Sequence, residues 1–259
     1  MEIRNRRKNS TFINYVFFSL GIISIFLIYF LISLSKSNTS QNFIYPNWDE
    51  VFVSIGDILA NPLTLSAIGW SLLRLLICVL SSFVITIIVS FLYVVYKPSI
   101  SFLRPFLFFI KVAPVAAISI YLWLAVGSEG STYVVSIMVI LPLMLEASLT
   151  SIDNIDKSII DELRITKTST LNKFVRVYIP MVLPYLLMSI LQSFGLGFKV
   201  VIMQEYLTYT RRSIGNLLHQ YLDGLEISKI LALIVIVVVI VGLMEIAIIS
   251  YKKHIEKNI

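Results

Sequence analysis

Charged side chains are scarce in this sequence. Asp, Glu, Lys and Arg make up 14% of the 259 residues, whereas 58% are hydrophobic. A soluble domain of this length carries about 25% charged residues, so the chain cannot hide its apolar surface inside one water-facing globule. The composition excludes a soluble domain and indicates that lipid is the main solvent.

Residues that carry out metal, redox or covalent chemistry are also few. The single cysteine, Cys78, lies in an apolar run and excludes an intramolecular disulfide. His219 and His254 are isolated, and neither has a second metal ligand at a matching spacing. Because no nucleophile, base or cluster of acids is visible, the sequence disfavours a membrane-embedded enzyme. We expect this chain to bind no metal or cofactor.

A phosphate-binding loop is absent as well. The sequence contains no Gly-x-x-x-x-Gly-Lys-Ser/Thr motif, so we expect no ATP hydrolysis by this chain. The net charge of +6 does not predict a nucleic-acid partner. The basic residues are scattered at the ends of apolar runs, where they report membrane topology.

What the sequence has instead is six apolar runs, each long enough to cross a bilayer, which takes about 20 residues. They cover residues 12–34, 68–95, 105–126, 131–149, 180–203 and 230–250. The first is too long for a signal-peptide core and lacks a small-x-small cleavage site, so we expect it to remain on the mature protein. The prediction is one all-α membrane domain, residues 1–259, with six transmembrane helices.

Each of the last five runs contains one charged residue. These are Arg74, Lys111, Glu146, Lys199 and Glu245. Arg74 and Glu245 lie near run ends, and we expect them to reach the interface by snorkelling. Lys111 and Lys199 lie within their runs, where they either line an anion pathway or pair with Glu146 or Glu205.

The basic residues outside the runs set the orientation. Fourteen of them lie in one alternating set of segments and only four in the other. The positive-inside rule therefore places both termini and the 151–179 loop in the cytoplasm. On the other side, the apolar spacing of Val51, Ile55, Ile58 and Leu59 suits a helix on the membrane surface. A second short helix is expected at 214–225.

The 151–179 loop contains two amphipathic stretches. Their apolar residues are Ile152, Ile155, Ile159 and Leu163, then Leu171, Phe174, Val175 and Tyr178. Between them lies TKTST, residues 166–170, in which Ser169 is the expected N-cap. Pro180 suits the first turn of the next helix, where its missing N–H costs nothing. The pattern predicts two short helices joined by an elbow.

This loop resembles the cytoplasmic loop of the permease subunits of binding-protein-dependent ABC importers. In that family a Glu-Ala-Ala triplet precedes a glycine and, after a fixed interval, an Ile/Leu-Pro pair. Aligned on Ile179-Pro180, the triplet falls on Asp161, Glu162 and Leu163, and the glycine position is occupied by Lys167. Lysine tolerates positive φ less readily than glycine, so we expect an elbow of different shape.

Two further stretches extend the resemblance. RPFLFFIKVAPVAAISIYLWLAVG, residues 104–127, is similar to the family's third span. LGFKVVIMQEYL followed by RRSIGNLLHQY resembles the fifth span and outer loop of the nitrate, sulfonate and taurine branch. The resemblance implies a permease of the bacterial cytoplasmic membrane that moves a small solute, from the nitrate, sulfonate, taurine or pyrimidine class, by alternating access.

The same resemblance implies partners and site residues. The partners are two ABC ATPase subunits that hold ATP and Mg, an extracytoplasmic substrate-binding protein, and a second permease subunit. Because oligomers are mostly symmetric, a homodimer is expected, and pairing with a related second permease is the alternative. The implied ATPase-coupling residues are Asp161, Glu162, Leu163, Arg164, Lys167, Ser169, Phe174 and Pro180. The candidates for a pathway or gate are Lys111, Lys199 and Glu205.

An ion-gradient-driven secondary transporter is the alternative. Such a protein needs carboxylates deep in the membrane, whereas Glu146 and Glu245 lie near the predicted cytoplasmic ends of their runs. A secondary transporter would also work alone in vesicles, whereas an importer subunit would associate with an ATPase.

Overall fold

The computed structural model describes Ser24 and residues 46–258, except for the side chains of 245 and 248–258, and this part of the chain is helical with no strand. In chain order the helices are α1 Trp48–Ala60, α2 Pro62–Val95, α3 Ser99–Val112, α4 Val115–Asp153, α5 Lys157–Ile165, α6 Thr170–Lys173, α7 Ile179–Leu207, α8 Ile214–Asp223 and α9 Ile227–Asn258. A π-helical turn, Phe174–Tyr178, joins α6 to α7. The predicted first span, 12–34, lies outside the described residues except for Ser24.

Four helical stretches of the described chain are long and apolar enough to cross a membrane. They are Pro62–Val95, Val115–Asp153, Thr170–Leu207 and Ile227–Met244. These stretches contain the predicted second, fourth and fifth runs, and the described apolar part of the sixth. The predicted third run, 105–126, is instead divided between α3 and α4. Ala113, at the division, has an extended ψ of 139°, since a residue before proline is pushed out of the helical region.

Gly127 breaks the long helix α4. Its φ of 78° and ψ of 176° lie in a backbone region that is essentially restricted to glycine. The helix is therefore interrupted between the predicted third and fourth runs, which end at residue 126 and begin at residue 131. A side chain at this position would be strained even though a Cβ there meets nothing within 4 Å.

The main core lies where α2, α4 and α7 pack together. Its fully buried residues include Leu75, Ile140, Met144 and Phe198. Gly197 permits the close approach of α7, because a Cβ there would lie 2.7 Å from Ile140 Cδ1. Small residues at such contacts let helix backbones come together in membranes.

The helix predicted over residues 51–59 is present as α1; Leu59 of its apolar stripe is half exposed, whereas the other stripe residues pack on protein. Val51 and Ile58 are buried in the same cluster as Leu217 of α8 and Leu233 of α9. The spacing identified the helix correctly, whereas its covering surface is protein. The helices α8 and α9 form that surface, and the spacing of apolar residues within α1 does not show which other helices pack against it.

Candidate functional site

The predicted elbow is present between α5 and α6. Thr166 Oγ1 donates to the Glu162 carbonyl oxygen at 2.8 Å at the end of α5. Ser169 Oγ accepts from the Asn172 N–H at 3.3 Å, so Ser169 is the N-cap of α6 as predicted. The turn-forming TKTST stretch therefore ends one helix and begins the next.

The second short helix of the prediction is not a separate element. From Thr170 the chain remains helical through the π turn and α7 to Leu207. The Ile179 N–H donates to the Phe174 carbonyl oxygen, five residues back, which is the π-helical pattern. Pro180 is the second residue of α7, but the chain is already helical before it, so its missing N–H removes one backbone bond from the continuous stretch.

Most of the eight residues expected to couple to an ATPase lie on the outside of this loop. Asp161, Glu162, Arg164, Lys167, Ser169 and Pro180 are exposed, and Leu163 is half-buried. Phe174 is different, since it is buried and its ring meets Phe91 of α2 edge-on at 5.2 Å between centroids. Phe174 therefore anchors the loop to α2 instead of facing outward.

The exposed face of the loop combines one free acid with apolar side chains. Arg164 pairs with Asp161 at 3.3 Å, while Glu162 has no side-chain partner among the described residues. Ile165 is 82% exposed, and Leu171 and Val175 are more than half exposed. We call Glu162, Ile165, Leu171 and Val175 the loop face. It is a mixed polar and apolar surface over which no other described residue packs.

A cavity of about 370 Å³ lies beneath the loop. Its walls include Tyr93 in the last turn of α2, Lys97 just after α2, Asp153 at the end of α4, and Leu163 and Lys173 of the loop. Asp153 accepts from Tyr93 Oη at 2.8 Å and from Lys97 Nζ at 3.0 Å. The bond to Asp153 raises the pKa of Lys97 above its ordinary value. Because the cavity lies between them, the loop is incompletely packed against the ends of α2 and α4.

A buried charge cluster lies near the beginning of α2. The Arg74 side chain is 2% exposed; its Nη2 is 2.8 Å from Glu129 Oε1, and its Nη1 is 3.1 Å from Glu205 Oε1. The same guanidinium donates to the carbonyl oxygens of Arg211 and Arg212. The expectation that Arg74 snorkels to the interface is wrong, because its partners lie on α4, α7 and the turn after α7.

Glu205 connects this cluster to the beginning of α8. Its Oε2 accepts from Ser71 Oγ at 2.7 Å and from the Gly215 N–H at 3.4 Å. Ser71 Oγ in turn accepts from the Ile214 N–H at 2.9 Å. A carboxylate at a helix N-terminus satisfies unpaired N–H groups and complements the helix dipole. Glu205 therefore holds α8 in place.

Gly215 makes the contact between α8 and α7 possible. A Cβ on Gly215 would lie 2.2 Å from the Tyr206 nitrogen and 2.5 Å from the Glu205 carbonyl carbon, which is too close for any side chain. The close contact with α7 therefore explains why a glycine occupies this position of the RRSIGNLLHQY stretch. Sequence reasoning noted the stretch but missed the Arg74–Glu205 pair, although two charges in apolar surroundings were the signal.

The two lysines within apolar runs behave differently. Lys111 forms an ion pair with Glu146, which was one of the two expected alternatives. Lys199 is exposed on α7 and has no ion-pair partner in the described part of the chain. Because Glu205 is bound to Arg74, the alternative that pairs Lys199 with Glu205 is wrong.

His219 is held by aromatic rings. It stacks between Tyr206 and Tyr209, with ring centroids 3.8 and 4.0 Å away, and its Nε2 lies 2.6 Å from the Tyr206 carbonyl oxygen. Within the described residues, no group of three or more His, Cys, Asp and Glu side chains has a metal-binding arrangement.

Comparison with known proteins gives one family. Residues 101–259, more than half of the chain, match the model of the binding-protein-dependent transport system inner membrane component. No curated protein matches the chain as a relative. The matched region includes α4, the loop, α7 and α8. Members of this family are multi-pass permeases of ABC importers that act with an ABC ATPase and a substrate-binding protein. This chain belongs to the family of inner-membrane components of binding-protein-dependent transport systems.

Proposed function

We propose that the chain is the transmembrane permease subunit of an ATP-driven importer, and that a separate ATPase subunit docks on the loop face. One observation carries this proposal. Glu162 is exposed without a partner in the described chain, next to the exposed apolar residues Ile165, Leu171 and Val175. Protein interfaces combine an apolar centre with a polar rim, and this loop presents both.

The connection from the loop into the membrane supports coupled motion. From α6 through the π turn to the end of α7 the chain is one helical stretch, Thr170–Leu207. A force applied at α6 therefore reaches α7 without crossing a hinge loop. Phe174 carries the same displacement to Phe91 of α2, and the cavity beneath the loop leaves room for it.

The proposal includes orientation, partners and solute. Both termini and the loop lie in the cytoplasm, and Arg211 lies outside. A second copy of the chain completes the pathway, ATP and Mg bind the partner ATPase, and an external binding protein delivers the solute. The solute is small, from the nitrate, sulfonate, taurine or pyrimidine class, and crosses by alternating access.

The ion-gradient alternative is disfavoured by the charges within the spans. In the four candidate spans, the described carboxylates are Glu129, Glu146, Asp153 and Glu205, and each has a cationic partner. A carboxylate that carries protons or sodium must be free to exchange them. The described spans offer no such group.

Affinity purification of the tagged full chain from its native membranes tests the proposal. We expect an ABC ATPase to co-purify and to hydrolyse ATP in the eluate. The alternative predicts a chain that purifies alone and, in vesicles, accumulates solute when only an ion gradient is supplied. That result would exclude the importer assignment.

A further inference from the structure

One face of α7 carries a row of exposed residues along much of its length. They are Tyr185, Met188, Gln192, Leu196, Lys199 and Met203, spaced three or four residues apart. We call this row the α7 stripe. This spacing places all six on one side of the helix. Within the described chain, no other helix covers them.

The α7 stripe contains polar groups that do not belong against lipid. Gln192 and Lys199 are two turns apart, about 10 Å along the axis, and both are exposed within the candidate span Thr170–Leu207. Charged residues inside membrane spans almost always face water or protein, because facing lipid is costly. The stripe therefore borders a polar space at the level of Lys199.

Lys199 differs from the other cations of the apolar runs. Arg74 is neutralised by two glutamates and Lys111 by Glu146. Glu205, the one other charged residue in the second half of α7, is bonded to Arg74 and fully buried. The positive charge of Lys199 is thus uncompensated by any described side chain.

Lys199 lies inside α7, away from both of its ends. Lys199 lies eight residues before Leu207, the nearer end of α7, or about 12 Å along the axis. Each Cα–Cβ bond of a helix tilts toward the helix N-terminus, which here points away from that end. A Lys199 side chain that extends along this bond direction points away from the nearer end of α7.

We propose that Lys199 makes the aqueous path along the α7 stripe selective for anions, so that the solute carried is an anion. This inference rests on the proposed importer function and narrows its solute class. A fixed charge between low-dielectric walls concentrates ions of opposite sign and repels those of like sign. A neutral or cationic solute gains nothing from Lys199.

The test measures this selectivity without knowing the solute. Cys78, the only cysteine, is replaced by serine, and Met203→Cys places a thiol one turn from Lys199. The full chain, purified with its partners and reconstituted, is treated with two methanethiosulfonates: the anionic 2-sulfonatoethyl and the cationic 2-(trimethylammonium)ethyl reagents. The readout is the ratio of the two reaction rates, normalised to a free thiol in solution.

We expect the anionic reagent to react faster after normalisation. Lys199→Gln should lower the ratio of the anionic to the cationic rate about tenfold. A unit charge at about 6 Å in water-like surroundings has this effect, because it attracts one reagent and repels the other. Lys199→Arg, which keeps the charge, retains the preference. Arg176→Gln, the matched control, removes an exposed cation about 35 Å away on the same helical stretch and leaves the ratio unchanged. Leu196→Cys, on the preceding turn of the stripe, repeats the measurement if Met203→Cys does not assemble.

Two results would overturn the inference. If thiols at 196 and 203 react with neither reagent, lipid, another helix or a second copy seals the stripe. If they react but Lys199→Gln leaves the ratio unchanged, the charge does not select. The ATPase is assayed in the same preparation. If the ATPase is present and either of these results is obtained, the anion inference fails while the importer assignment stands. Its absence contradicts the importer assignment independently.

Discussion

At the scale of single residues, charge partners decide what each side chain does. Arg74 is nearly inaccessible and shared between Glu129 and Glu205, whereas Glu162 is exposed and unpaired within the described chain. Removing one member of a buried ion pair leaves an uncompensated charge, whereas changing an exposed, unpaired residue barely affects folding. The two sites therefore respond differently to substitution.

Substitution of Arg74 should destabilise the fold. Arg74→Gln leaves the buried Glu205 carboxylate without its cation, and we expect a loss of about 3–5 kcal/mol. Thermal unfolding in detergent, followed by size-exclusion chromatography, measures the loss. Arg211→Gln is the control, because only the backbone carbonyl of Arg211 contacts the cluster. Equal stability of the Arg74 variant and the parent would show that the cluster contributes nothing.

Reversal of the charge at Glu162 should leave the fold intact and weaken ATPase association. For Glu162→Arg we expect normal insertion and about tenfold weaker binding, equivalent to about 1.4 kcal/mol. Quantitative co-purification with the ATPase measures it. Glu50→Arg makes the same exchange at an exposed position of α1 and should have no effect. Full association with Glu162→Arg would remove Glu162 from the docking surface.

At the scale of helices, the sequence predicted local features, such as helix caps and helix positions, but not which helices pack together. Ser169 as an N-cap and the helix near 214 followed from residue type and spacing, whereas the Lys111–Glu146 pair was one of several alternatives that the sequence left open. The sequence did not predict which helices pack over α1 or that Phe174 is buried, because both depend on how distant helices cross. The π turn that fuses α6 to α7 likewise depends on bonds between backbone groups, which side-chain patterns do not specify.

The crossing of α8 over α7 should depend on Gly215. Gly215→Ala puts a methyl group into the Tyr206 backbone, so we expect a loss of about 1–3 kcal/mol from overpacking. Gly56→Ala is the matched control, since a Cβ there meets nothing within 4 Å and alanine favours a helix. Unfolding of both variants in the same detergent gives the comparison. A Gly215 variant as stable as the Gly56 variant would contradict the packing role.

At the scale of the whole molecule, the sequence predicted the helical class and the family, but not which residues face one another. The count of basic residues also predicts that Lys167 lies in the cytoplasm and Arg211 outside. With Cys78 removed, a cysteine at 211 should react with a membrane-impermeant thiol reagent on intact cells, and one at 167 only after permeabilisation. Labelling of position 167 from outside would reverse the topology and remove the loop from the ATPase side.

Photocrosslinking from the loop face tests the central claim most directly. A benzoyl-phenylalanine at Ile165, which is 82% exposed, is compared with one at Leu63, which is 79% exposed at the beginning of α2. Irradiation of intact membranes should join the chain to an ABC ATPase from position 165 and not from position 63. No ATPase adduct from 165, or equal adducts from both positions, would contradict the assignment of this loop as the docking site.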